Sequence, residues 1–341
     1  MAAIVYSGPA ALDSDPFLER SAHPFKRRVV ILGQRFVFES NSRRLLRLVD
    51  AAYRDLPMHR LGTPRQAIIV RLHLARSVGK AGAKSFPPPM RMHGARGLLC
   101  GAMDAENYAV LNPGARTGLV VVSLELLKYP YQARYELLEF AVFTLACRGQ
   151  GLIPLHSACV GLNGRGLLLI GRTGAGKSTL AMLCALNGMD FLTEDATFIA
   201  PRSMRGTGVA NYLHIRKDAL RHVADRRITA LIRRSPIIKR RSGVEKYEID
   251  MRRTGLSLAG PLDIAAIVFV TARRTDGPLL TPLKASATPQ RLLRGQGYGA
   301  AQRGWRDFAR HVRTVPAYEL LRGTNPLEAV DALRRLLVTA Q

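Results

Sequence analysis

The chain has 341 residues, 47% of them apolar and 22% charged, which excludes an intrinsically disordered protein and leaves room for two domains, each with its own core. No apolar run reaches the ~18 residues of a membrane helix. The net charge of +26 admits an anionic partner such as nucleic acid, but Arg-rich, Ala-, Gly- and Leu-rich composition alone accounts for it equally well.

The beginning lacks a basic leader and carries Asp13 and Asp15, so a secretory signal is not expected. Four cysteines, Cys100, Cys147, Cys159 and Cys184, sit in apolar segments without metal-type spacing. They read as small core residues of a cytoplasmic protein. Residues 1–148 read as an N-terminal α+β domain of unknown role. "RRVVILGQRFVFES" suggests two strands turning at Gly33-Gln34. "NSRRLLRLVDAAYRDL" suggests a helix capped by Asn41 or Ser42, with Leu45, Val49 and Tyr53 inward. "AIIVRLHL" alternates as a strand, "TGLVVVSLE" reads as another, and "QARYELLEFAVFTLAC" as a helix burying Tyr135, Leu138, Val142 and Leu145. His93 is a lone histidine in an expected loop. Pro-rich "SFPPPM" and "CRGQGLIP" are breaks, and the second sets the domain boundary.

Residues 149–341 alternate strands and helices, which indicates an α/β domain. Strands are expected at 153–161, 165–170, 190–200, 264–271, 279–284 and 317–321. Asn325, Pro326 and Glu328 open a final helix that buries Val330, Leu333 and Leu337.

"GLLLIGRTGAGKSTL" carries the chemistry. Gly171, Gly174, Gly176, Lys177 and Ser178 match G-x-x-x-x-G-K-[ST] between an apolar strand and a helix former. Such a loop cradles phosphates with backbone N–H groups at a helix N-terminus, and Gly171, Arg172, Thr173, Gly174, Ala175, Gly176, Lys177, Ser178 and Thr179 form the expected nucleotide site. Lys177 reaches the β- and γ-phosphates and Ser178 ligates Mg2+. After the helix ends at Asn187-Gly188, "FLTEDATFI" returns as one buried strand. In a parallel sheet the end of that strand lies beside the loop, which brings Glu194 and Asp195 to the phosphates. One carboxylate can hold Mg2+ and the other can take a proton from an attacking hydroxyl. Residues 202–241 are crowded with Arg and Lys; a solvated face, a grip on substrate or phosphate through Arg216, Lys217 or Lys246, and nucleic-acid binding all remain open.

The run from "LHSACVGLNG" through the loop to "GMDFLTEDATFI" resembles the C-terminal catalytic domain of HPr kinase/phosphorylase and its relatives. The shared features are His156 near a strand start, a hairpin at Asn163-Gly164, the loop, and the acidic pair. The resemblance implies a P-loop core of the phosphoenolpyruvate-carboxykinase/HPr-kinase type, ATP and Mg2+ as cofactors, and phosphoryl transfer to a serine hydroxyl. It implies Glu194 as general base, Asp195 as metal-side carboxylate and His156 as their neighbour, with oligomers. The family has Asp where Glu194 stands, and the Gly-rich signature of its phosphorylase activity is not visible between 202 and 262. The expected activity is therefore transfer of the γ-phosphate to a protein, peptide or small-molecule hydroxyl. A nucleic-acid-dependent NTPase and a nucleotide sensor without catalysis are the alternatives.

Overall fold

The computed structural model describes residues 22–61, 66–75 and 86–338. Asp13, Asp15 and Ser85 lie outside them. Contacts divide the chain into two units: 1–29, 34–54 and 65–145 in one, and 30–33, 55–64 and 146–341 in the other.

The first unit holds a mixed seven-stranded sheet. Its strands are β1 (Phe25–Ile31), β2 (Gln34–Ser40), β3 (Ile68–Ala75), β4 (Arg91–Ala95), β5 (Leu98–Ala102), β6 (Tyr108–Asn112) and β7 (Thr117–Ser123), in the order β1-β2-β3-β7-β6-β5-β4. The parallel pairs β2–β3 and β3–β7 need crossovers, and helix α1 (Arg43–Tyr53) supplies the first. Ser42 caps α1 by accepting from the Arg44 amide, and Leu45, Val49 and Tyr53 are buried as the periodicity requires. His93, expected in a loop, stands on the exposed hairpin strand β4, since its neighbours pair with β5 residue for residue. The helix expected from "QARYELLEFAVFTLAC" opens on a short α-helical turn, Pro130–Gln132, passes through a π-helical stretch, Ala133–Leu138, and continues as α2 (Glu139–Gln150). The π-helical stretch leaves Tyr135 half-buried rather than inward.

The second unit is built on a mixed nine-stranded sheet of β8 (Ile153–Leu155), β9 (Ala158–Leu162), β10 (Arg165–Ile170), β11 (Asp190–Thr193), β12 (Thr197–Ile199), β13 (Arg205–Thr207), β17 (Leu262–Arg274), β18 (Leu280–Leu283) and β19 (Ala317–Arg322). Its main path runs β11-β9-β10-β17-β13-β12-β8, with β19 on β17 and β18 on β19. A smaller sheet, β14 (Tyr212–Ile215), β16 (Glu245–Asp250) and β15 (Ile237–Lys239), adds three strands. Helices α3 (Lys177–Leu186), α4 (Arg226–Arg234), α5 (Thr288–Gly295) and α6 (Pro326–Val338) complete the framework used below.

Two expectations change here. The segment 190–200 is not one strand but two, because Glu194, Asp195 and Ala196 break the ladder between β11 and β12. The strand expected over 153–161 is likewise two, β8 and β9, interrupted at His156 and Ser157. The antiparallel hairpin strand β9 lies between β10 and β11, and the parallel neighbour of β10 is β17. β11 still runs in the same direction as β10, so its C-terminal end reaches the same edge of the sheet. One apolar layer joins Leu167, Leu169, Leu180, Leu183, Phe191, Val268, Leu333 and Leu337, and so fixes α3 and α6 on one face. The other face buries Ile153, Leu168, Ile170, Ile267, Phe269 and Phe308. Near-continuous burial along Gly166–Ile170 is what a strand covered on both faces requires. Cys147, Cys159 and Cys184 are buried and free, and burial pushes the Cys184 thiol up to about 12. None of the helices among the described residues is long and apolar enough to cross a membrane.

Candidate active site at the strand ends

β10 delivers its last residue, Ile170, opposite Phe269 of β17, and the chain leaves the sheet at Gly171. A Cβ on Gly171 would stand 2.5 Å from the Val270 carbonyl oxygen, so only glycine lets the loop depart against β17. Gly174 and Gly176 take φ of +84° and +100°, a region that side chains avoid. Between them the Ala175 amide closes a turn onto the Arg172 carbonyl. α3 then begins with no side chain capping it, which leaves first-turn N–H groups directed into the loop. Backbone N–H groups arranged in this way at the positive end of a helix can form a cradle for an anion. Arg172, Thr173 and Gly174 are exposed, Ser178 and Thr179 half-buried.

Lys177 is buried, and its Nζ donates to the Gly171 carbonyl at 2.7 Å. Burial lowers its pKa, and the carboxylates of Asp195 and Glu194 work against that shift. The lysine thus folds back over its own loop, with both acids close enough to act on it.

The two acids have separate surroundings. Glu194 is 4% exposed. Its Oε1 accepts from the Ser178 hydroxyl at 2.8 Å, and Lys246 Nζ stands 3.9 Å from the same oxygen. Its Oε2 accepts from both the backbone N–H (2.7 Å) and the Nδ1 (2.9 Å) of His214. The other ring nitrogen of His214, Nε2, lies 3.1 Å from Glu248 Oε1. Burial raises the Glu194 pKa, but the charge and hydrogen bond of His214 outweigh it and the carboxyl sits below its ordinary value. Burial likewise lowers the His214 pKa, but its two carboxylate partners, Glu194 and Glu248, outweigh it and hold the pKa above the ordinary histidine value. Asp195, with its side chain 27% exposed, faces outward. Its Oδ1 is 3.0 Å from His156 Nδ1, and its Oδ2 is 3.9 Å from the Arg240 guanidinium. His156 is itself held by a two-point clamp: its N–H donates to Gln296 Oε1 at 2.7 Å, and Gln296 Nε2 donates to its carbonyl at 3.1 Å.

The loop, Lys177, Glu194, Asp195 and His156 therefore meet at one edge of the sheet. Of the three basic candidates only Lys246 joins them. Arg216 is 3.6 Å from Asp218, and Lys217 is 3.0 Å from Glu245. Sequence reasoning missed His214, Glu248, Arg240 and Gln296. His214 and Glu248 are directly opposite in the β14–β16 ladder, but 34 positions and an intervening helix separate them, so only the strand pairing could have joined them.

Hard oxygen donors suit Mg2+, which keeps several waters and takes few protein ligands. The Ser178 hydroxyl and Glu194 carboxylate, 2.8 Å apart beside the anion cradle, fit that requirement.

No family model matches the chain, and no curated protein gives a significant match. Among solved structures the chain is similar to the HPr(Ser) kinase/phosphatase from Coxiella burnetii, at 12% identity and a TM-score of 0.31, covering 55% of this chain and 97% of that one. A likeness of that size carries no argument about activity.

Proposed function

We propose that the second unit is an ATP-dependent phosphotransferase that moves the γ-phosphoryl group to a serine-type or small-molecule hydroxyl. The observation that carries this reading is the convergence of an anion cradle, a buried lysine and a histidine-paired carboxylate on one sheet edge. The cradle and Lys177 hold the β- and γ-phosphates. Mg2+ on Ser178 and Glu194 would offset charge on the phosphates when bound. The incoming hydroxyl loses its proton to Asp195 as its oxygen forms the bond to phosphorus, the β–γ bridging bond breaks, and ADP leaves with the bridging oxygen.

This assigns the two acids opposite roles from those the family resemblance implies. Three features support the exchange. Glu194 is the acid bonded to the metal-binding hydroxyl, it is almost inaccessible, and His214 already occupies its second oxygen. Asp195 is the more accessible acid, at 27% exposed, and has an imidazole beside it to stabilise its charge.

The test follows the γ-phosphate of labelled Mg-ATP into a desalted lysate and its small-molecule fraction, with Lys177→Ala alongside. An acid-stable labelled product, absent with the variant, is the expected result. Label released only as free phosphate, and faster when RNA or DNA is added, overturns the kinase in favour of a nucleic-acid-dependent NTPase. Gln296→Ala removes the clamp on His156 and is expected to lower kcat about tenfold at an unchanged KM for ATP, since both side-chain hydrogen bonds of Gln296 go to the residue that orients the base. Steady-state kinetics on the identified acceptor checks it.

A further inference from the structure

A cavity of about 840 Å3 opens between α4 and the small sheet, and none of its lining residues belongs to the phosphate loop. Four arginines line it: Arg227, Arg234, Arg252 and Arg253. Asp250 takes up Arg252, at 2.7 and 2.9 Å, and Glu248, the other acid in the wall, is engaged by His214. Among the described residues no carboxylate lies within ion-pair distance of Arg227, Arg234 or Arg253; Arg227 makes only a 3.4 Å bond to the Thr254 carbonyl. Gathering unneutralised guanidinium groups around one concavity is unfavourable unless an anion joins them. The remaining wall mixes apolar surface from Leu231, Pro236 and the ring of Tyr212 with the hydroxyl-bearing Ser235 and Thr254. The volume falls within the range of small-molecule sites, roughly 300–1,000 Å3. A single-strand nucleic acid would need stacking platforms, and the one ring here, Tyr212, already carries the Arg252 guanidinium at 5.4 Å.

We propose that this cavity binds a phosphorylated small molecule of about nucleotide size, and that its occupancy is felt at the phosphate loop. The link is a continuous chain of short polar contacts. Glu248 in the cavity wall meets His214, His214 meets Glu194, and Glu194 meets the Ser178 hydroxyl. An anion on the arginines changes the field and position of Glu248, and the contacts at 3.1, 2.9 and 2.8 Å carry that change to Ser178. Linkage requires the effect to be mutual: whatever the cavity ligand does to nucleotide affinity, the nucleotide does to the ligand's. The coupling rests on the proposed nucleotide site, whereas the anion site stands without it.

The experiment is titration calorimetry of the full chain with inorganic pyrophosphate and with AMP, in a Lys177→Ala background that disables the loop. Binding should persist there and weaken about tenfold for each of Arg234→Ala and Arg253→Ala, the loss expected of one charge-assisted contact. Both arginines are exposed, so the variants keep the fold, and an unchanged melting temperature verifies it. No binding in the Lys177→Ala protein, or equal binding after both arginines are removed, overturns the site. With the loop intact, saturating AMP should shift the affinity for a non-hydrolysable ATP analogue about fivefold or more, and Glu248→Gln should abolish the shift. An unshifted affinity overturns the link alone. A protein that transfers no phosphate yet binds pyrophosphate at the arginines would sink the kinase reading and leave the cavity standing.

Discussion

Asp195→Asn is expected to lower kcat for phosphoryl transfer by about 10²–10⁴-fold, the usual contribution of a positioned general base. Asn preserves the shape and can still bond His156, but its amide cannot accept the proton of the attacking hydroxyl. The nucleotide should bind nearly as before, because the loop is shaped by the backbone of Gly171–Ser178, and the Lys177 Nζ, though in the field of Asp195, is bonded to the Gly171 carbonyl. Glu194→Gln should behave differently. Its neutral amide keeps the Ser178 contact but loses the charge that suits a divalent ion, so the Mg2+ concentration for half-maximal rate rises by about tenfold or more while excess Mg2+ recovers much of kcat. Rates measured across a Mg2+ titration for both variants separate the roles. If Asp195→Asn were rescued by Mg2+ and Glu194→Gln were not, the assignments implied by the family resemblance would be the correct ones.

How much of this could be read from sequence follows the reach of each interaction. The loop was legible residue by residue, since its geometry is local: two glycines at positive φ, a strand before them and a helix after. α6 was legible for the same reason, with Asn325 accepting from the Leu327 amide and Leu333 and Leu337 buried below. The acidic pair was placed beside the loop, but the different surroundings of its two members could not be read, because they sit between strands rather than in one. Which of them meets Ser178 is decided by a break in the strand ladder, not by residue type. The intervening strand β9 was hidden as well. An apolar run of 153–161 contains no signal that Ile153–Leu155 pairs with β12 while Ala158–Leu162 turns to pair with β10 and β11. His214 and Gln296 lay beyond reach because each acts on a residue far away in the chain, His214 on Glu194 and Gln296 on His156.

The largest stability effect is expected at His214. It lies between two carboxylates that raise its pKa, buried with Glu194 and 3.1 Å from Glu248. Removing one partner from such a group costs about 3–5 kcal/mol, because the charges left behind stay out of water. His214→Gln should therefore destabilise the protein by about 3 kcal/mol, near the lower end of that range, since Gln keeps one hydrogen bond. The sign of its pH dependence follows from the shifts. The folded pKa of His214 is raised, so its contribution is complete below about pH 6.5, the unfolded value, and is lost as pH rises through the folded pKa. That of Glu194 is lowered, so its contribution is present above about pH 4.3 and is lost as pH falls through the folded pKa. His59 opposes His214. Burial against Thr207 depresses its pKa to about 4, so acid pulls the folded state apart there. The profile of the wild-type protein alone therefore mixes two histidines of opposite sign. The difference between wild type and His214→Gln cancels His59 and isolates the buried triad. That difference should be greatest between about pH 4.3 and 6.5, where Glu194 is charged and His214 protonated, and should narrow above. Urea unfolding from pH 5 to 9 in EDTA, which keeps divalent ions off Glu194, measures it. A difference that grows with rising pH would mean that His214 is buried neutral, and that Glu194 owes its charge to Lys246 instead.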